Sequence, residues 1–115
     1  MSIKRLEIRE TDHFAYQVYE YFQRETPGSL DQLSRKDFIT LELNPAKEVL
    51  ATRFFELEEL IPGRNEYRVY TVAGVYVPLY SIYAQLVPNK KLVELIELEV
   101  DFNPPEAFNL DPNEI

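Results

Sequence analysis

The sequence predicts an α+β domain: two main helices packed on one face of a mostly antiparallel sheet of about five strands, in the order β-α-β-α-β-β-β. Three observations carry that reading. Residues 12–22 and 45–61 place apolar side chains at helical spacing. Residues 3–9, 37–43 and the second half of 92–102 alternate apolar and polar side chains, as half-buried strands do. The run "YRVYTVAGVYVPLYSIYAQLV" (67–87) holds Tyr67, Tyr70, Tyr76, Tyr80 and Tyr83 among β-branched neighbours, a composition that suits strands.

In chain order, "IKRLEIR" (3–9) sets Leu6 and Ile8 on one face and Arg5, Glu7 and Arg9 on the other, which reads as the first strand. Thr11 or Asp12 then caps a helix by accepting from a free backbone N–H. Phe14, Val18, Tyr21 and Phe22 line its inner face, and Thr26-Pro27-Gly28 stops it. A short helical turn is expected around Leu30 and Leu33. "DFITLEL" (37–43) alternates, with Ile39, Leu41 and Leu43 facing one way, and reads as the second strand.

Asn44-Pro45 reads as a helix cap with proline at the first helical position, where a missing N–H costs nothing. Val49, Leu50, Phe54, Leu57, Leu60 and Ile61 would face the core, and Pro62-Gly63 would end the helix. The remainder reads as a meander. Residues 67–73 form one strand, Gly74 breaks it, and 75–87 form the next. The spacing of Leu79, Ile82, Tyr83 and Leu86 after Pro78 also suits a helix; strand is preferred because the turn Pro88-Asn89-Lys90-Lys91 supplies a hairpin partner. As strand, Pro78 needs an edge or a bulge. In the last strand Ile96, Leu98, Val100 and Phe102 would point in, and Glu97, Glu99 and Asp101 out. Residues 1–102 are therefore read as one domain and 103–115 as an acidic extended tail, with Phe108 and Leu110 able to dock.

The totals narrow the function classes. A chain of 115 residues, 45% apolar, can bury a core without staples. With no cysteine, disulfide and thiolate chemistry are excluded, which fits a reducing, cytoplasmic setting. The start "MSIKRLEIRE" lacks the apolar segment of a secretory signal, and no run of about 18 apolar residues suggests a membrane span. The net charge of −8 is uneven: from Leu92 onward there are seven acids and no base, so residues 1–91 carry only −1. That balance disfavours a nucleic-acid partner, which needs clustered Lys and Arg, and suits solubility or a basic protein partner.

Residues that could carry chemistry are few. His13, the single histidine, sits near the positive end of its helix and has no triad partner in view, so it reads as a capping or exposed polar residue. No metal-ligand spacing, phosphate loop or nucleophile elbow is present, and no cofactor or metal is expected. Glu97, Glu99 and Asp101 line one strand face, the arrangement of solvated acids rather than of a catalytic pair. Tyr76, Tyr80 and Ile82 share one strand face and Tyr83 takes the other. A strand apolar on both sides is either central or exposed at an interface, where tyrosine concentrates binding energy.

From the end of the second helix, "ELEELIPG", through "YRVYTV", "VYVPLYSIYAQLV" and "KLVELIELEVDF", the order of elements resembles the RelE/ParE toxin superfamily. That resemblance implies a sheet meander after a helical pair and an activity as a ribosome-dependent RNase or gyrase poison. It would make Arg53, Arg64 and Arg68 the candidate active residues. The sequence departs from the pattern by a strand expected at 37–43 and by the acids of its last strand.

The leading expectation is a small non-catalytic interaction protein, such as an inhibitor, an immunity protein or antitoxin, or an assembly subunit. Tyr76, Tyr80, Tyr83, Glu97, Glu99, Asp101, Phe108 and Leu110 would meet a protein partner, and a homodimer is compatible with the same surface. The alternatives are a toxin-like enzyme and a small-ligand binder with a tyrosine-lined pocket.

Overall fold

A computed structural model describes residues 5–23, 34–75 and 77–102. Its elements are β1 (Glu7–Glu10), α1 (Asp12–Tyr21), α2 (Arg35–Phe38), a π turn (Ile39–Leu43), α3 (Asn44–Arg53), a 3₁₀ turn (Phe54–Glu56), β2 (Glu58–Glu59), β3 (Tyr67–Val72), β4 (Leu79–Leu86) and β5 (Leu92–Asp101). The fold is α+β, with two helical bodies on a five-stranded sheet of order β1-β5-β4-β3-β2. Only β1 runs parallel to its neighbour, β5; the other pairings are antiparallel.

The first helix follows its sequence signals. The Thr11 hydroxyl accepts from the Phe14 N–H at 3.2 Å, and Phe14, Val18 and Phe22 are buried. The expected stop at residues 26–28 and the turn around Leu30 and Leu33 lie outside the described residues.

The second helical body corrects two expectations. Residues 37–43 are helical, not a strand. Ser34 caps this helix, its hydroxyl accepting from the Asp37 N–H at 3.0 Å. Phe38, Leu43, Ala46, Leu50 and Phe54 are all buried, and their spacing of five, then three, four and four residues is that of one helix face with a widened turn. Ile39, Leu41 and Leu43 alternate in sequence, but Leu41 points to solvent while Leu43 is buried.

Asn44 is not a cap. It is helical, with φ −61° and ψ −46°, and its N–H reaches back five residues to the Ile39 carbonyl. The widened turn lies just where the ring of Pro45 would press on the preceding turn of a regular α-helix, so the chain passes through proline without breaking.

The helix expected to reach Ile61 stops at Arg53. Leu60 and Ile61 are exposed, and Glu58–Glu59 instead pair with Arg68 and Val69 as the edge strand. The buried Arg68 guanidinium donates to the carbonyls of Leu57 (2.7 Å), Asn65 (3.1 Å) and Phe55 (3.4 Å), which holds this segment against β3. Gly63, at φ +83°, supplies the left-handed turn between the two strands.

In the meander, β4 is a strand and lies at the centre of the sheet. It begins at Leu79, so Pro78 precedes the ladder rather than interrupting it. The turn into β5 has Pro88 followed by Asn89 at φ +60°, closed by Lys90 N–H to the Val87 carbonyl at 3.2 Å.

A bulge in β5 changes its expected phase. Tyr83 pairs with Glu97 but Ala84 pairs with Leu95, leaving Ile96 as the extra residue. Leu98 and Val100 face the core as expected. Ile96 does not, and Val93 and Leu95 fill the core on its other side. Phe102 is half-exposed, against Phe22 and Tyr21. Beyond the bulge β1 no longer covers the β5 edge, and α1 does so. The Thr11 hydroxyl donates to the Leu95 carbonyl (2.8 Å), and Gln17 Oε1 accepts from the Leu98 N–H (2.6 Å). Both helical bodies thus cover one face, and the core forms between them and Tyr80, Ile82, Ala84, Val93, Leu95 and Leu98.

One carboxylate is buried in that core. Glu42, in the π turn, accepts from the Tyr80 hydroxyl at 3.2 Å and from the Val77 N–H at 3.4 Å. Gly74 lies against it: a Cβ there would sit 2.7 and 2.9 Å from the carboxylate oxygens and 2.6 Å from the Val77 carbonyl. Here glycine is needed for close approach, not for a positive φ.

Gly74→Ala is expected to cost about 1–3 kcal/mol through overpacking, read as a lower urea midpoint at unchanged slope. Glu42→Ala strands two buried donors and is expected to cost about 1–3 kcal/mol. Gly74→Ala should cost less in that background, because two of its three clashes are gone; full additivity would disprove the contact.

Burial first, then the charge of Glu42, holds the Tyr80 phenol well above its ordinary value of 10.0. The unfolded chain gives up this proton near the ordinary value while the folded chain keeps it. The stabilisation is therefore fully present below about pH 10 and falls as pH rises beyond it. Urea midpoints between pH 8 and 11 should show a shallower alkaline decline for Tyr80→Phe than for the parent chain.

Candidate interaction surface

The opposite face of the sheet is built by the same register. Across β3, β4 and β5, Val69 lies beside Tyr83 and Glu97; Thr71 lies beside Ser81 and Glu99; Leu79 lies beside Asp101. Tyr67, Gln85 and Glu94 form a further row. None of these side chains is buried, whereas their neighbours in sequence on β4, Tyr80, Ile82 and Ala84, are. Among the described residues, both helical bodies pack on the other side, so no helix covers this face.

Side-chain bonds order the surface. The Tyr83 hydroxyl donates to Glu99 Oε1 at 2.8 Å, and the hydroxyls of Thr71 and Ser81 are 2.9 Å apart. The bond to Glu99, reinforced by partial burial and the carboxylate charges, raises the pKa of the Tyr83 phenol. Glu94 is neutralised by Arg9 at 2.6 Å. His13 Nε2 lies 3.8 Å from Glu97, and no Lys or Arg among the described residues pairs with Glu97 or Glu99. The surface therefore combines apolar area from Val69, Leu79, Tyr67 and Tyr83 with the negative charge of Glu97 and Glu99.

Of the expected partner-binding residues, the structure brings Tyr83, Glu97, Glu99 and Asp101 onto this one face. Tyr80 is not part of it: it faces the core, 2% exposed, with its hydroxyl on Glu42. Strand alternation decides this, since residues 80 and 83 lie on opposite sides of β4. Tyr76, Phe108 and Leu110 lie outside the described residues. Tyr67, Val69 and Leu79 were not anticipated. Their signal was available in the register of a hairpin, which sets them beside Tyr83 and the acids.

The three arginines do not act as one group. Arg53 pairs with Glu56 at 3.2 Å on the surface. Arg64 pairs with Glu66 at 2.6 Å and lies over the Tyr67 ring. Arg68 is buried, bound to backbone carbonyls and to Asn65 Oδ1, and flanked by the rings of Phe54 and Phe55. Among the described residues, a surface cavity of about 410 Å³ between the β2–β3 and β4–β5 turns has Tyr67 in its lining.

Among the described residues, no group of three His, Asp or Glu side chains converges to hold a metal ion. No helix there is long and apolar enough to cross a membrane. No protein-family model matches the chain, and neither a curated protein nor a solved structure matches it.

Proposed function

We propose that this is a small, non-catalytic interaction protein of the inhibitor, immunity-protein, antitoxin or assembly-subunit kind. It binds a basic protein partner through the open face of its sheet, in a cytoplasmic setting and without a cofactor. The observation that carries this reading is that face: half-buried Val69, Leu79 and Tyr83 beside Glu97 and Glu99, with no Lys or Arg among the described residues to match the two acids.

Apolar and aromatic area supplies the contact energy, and tyrosine does so at low entropic cost with a hydroxyl for the rim. Uncompensated acids select for a basic partner and speed its encounter. The acidic residues beyond Asp101 add to the same field. Of the three arginines on which a toxin-like RNase would draw, Arg68 is engaged by backbone carbonyls, Arg53 by Glu56 and Arg64 by Glu66, which supports the non-catalytic reading over that alternative.

The test is a pull-down from the native cell followed by kinetics with the recovered partner. Glu97→Lys with Glu99→Lys should slow association roughly tenfold or more at low salt, as should added salt on the parent chain. Deleting residues 103–115 should produce a smaller loss of the same sign. Association untouched by both charge reversal and salt would rule out the open face as an acidic docking surface.

A further inference from the structure

We propose that the element covering the open face is a basic amphipathic α-helix of the partner, laid along β4 and β5. This inference rests on the docking role assigned to that face and goes beyond it by specifying what docks.

The first argument is backbone chemistry. A sheet's ladder bonds lie in its plane, so its face offers side chains only. A segment lying on it must satisfy its own N–H and C=O groups, which a helix does internally and an extended peptide does not. One face of this mostly antiparallel sheet already carries the helical layer, and an amphipathic helix is an element that can pack on the other with its backbone bonds closed.

The second argument is charge. A second copy of the chain, face to face, would set Glu97 and Glu99 against their own counterparts. The chain's own residues 103–115 contain Glu106, Asp111 and Glu114 and no base, so they would add acid to acid. Like charges at close range cost free energy, and a cationic partner relieves that cost.

The third argument is spacing. Glu97 and Glu99 are alternate residues of one strand, about 7 Å apart along it. Four residues of helix advance about 6 Å, so Lys or Arg at i and i+4 reaches both acids. The neighbouring strand β4 lies about 5 Å to the side, which sets Tyr83 under the apolar flank of the same helix, with Val69 of β3 about 5 Å further on. Glu99 is held in place by the Tyr83 hydroxyl and keeps lone pairs for a cation.

The experiment is selection of random 16-residue peptides on the intact protein, followed by mapping on ¹⁵N-labelled chain. The expected peptides carry Lys or Arg at i and i+4, gain helical circular dichroism on binding, and shift the amides of Tyr83, Glu97 and Glu99. Glu97→Lys should weaken them roughly tenfold, about 1.4 kcal/mol. That side chain is exposed and, among the described residues, pairs with no Lys or Arg, so the loss is not one of folding. Peptides that bind this face without becoming helical, or that lack the basic spacing, would overturn the helix while leaving the docking role intact. Peptides that bind elsewhere, or as well to Glu97→Lys and Tyr83→Ala, would overturn both, and selection of no peptide would overturn the helix.

Discussion

The packing of this protein turns on the buried carboxylate of Glu42. A carboxylate in an apolar core is costly unless donors surround it. Here the Tyr80 hydroxyl and the Val77 N–H supply them, one from the central strand and one from the loop that leads into it. The π turn rotates Glu42 to face those donors while returning Leu43 to the core. The absence of a side chain at Gly74 leaves room for the carboxylate. A helix irregularity, a proline, a glycine and a tyrosine far apart in sequence thus answer to one group. The aromatic contacts follow from it: Phe38 stacks on Phe22 at 4.1 Å between centroids and meets the Tyr80 ring edge-on at 5.7 Å.

A second constraint is the bulge at Ile96. Without the extra residue, one face of β5 could not receive Val93 and Leu95 at one end and Leu98 and Val100 at the other. Where β1 ends, beside the bulge, α1 takes up backbone groups of β5 through its cap, Thr11, and through Gln17. One residue, Thr11, therefore both starts the helix and docks it. That docking holds the helices on one side and leaves Tyr83, Glu97 and Glu99 on the other.

Local chemistry was legible wherever a motif had one reading. Thr11 as a cap, Pro88-Asn89 as a turn, and the sheet meander from Tyr67 onward all follow from local rules. It was ambiguous at 37–43, where alternation over a short window suits strand and helix alike. The deciding signal was Ser34 with Asp37 three residues on, a capping pattern just upstream. Asn44-Pro45 misled for a related reason. Proline marks a helix start only if the preceding turn is regular, and a π turn removes that condition.

The sequence by itself determined the class of fold, the acidic surplus after Leu92 and the alternation that sets Glu97, Glu99 and Asp101 outward, because these depend on composition and on a period of two. Tertiary structure alone decided which tyrosine is a core residue and which a surface one, and which arginine is consumed by the fold. Tyr80 and Tyr83, and Arg64 and Arg68, are chemically alike in sequence. Alternation puts Tyr80 and Tyr83 on opposite faces of β4, but which face the helices cover, and which arginine the fold consumes, is decided only when distant partners such as Glu42 and the Leu57 carbonyl claim Tyr80 and Arg68.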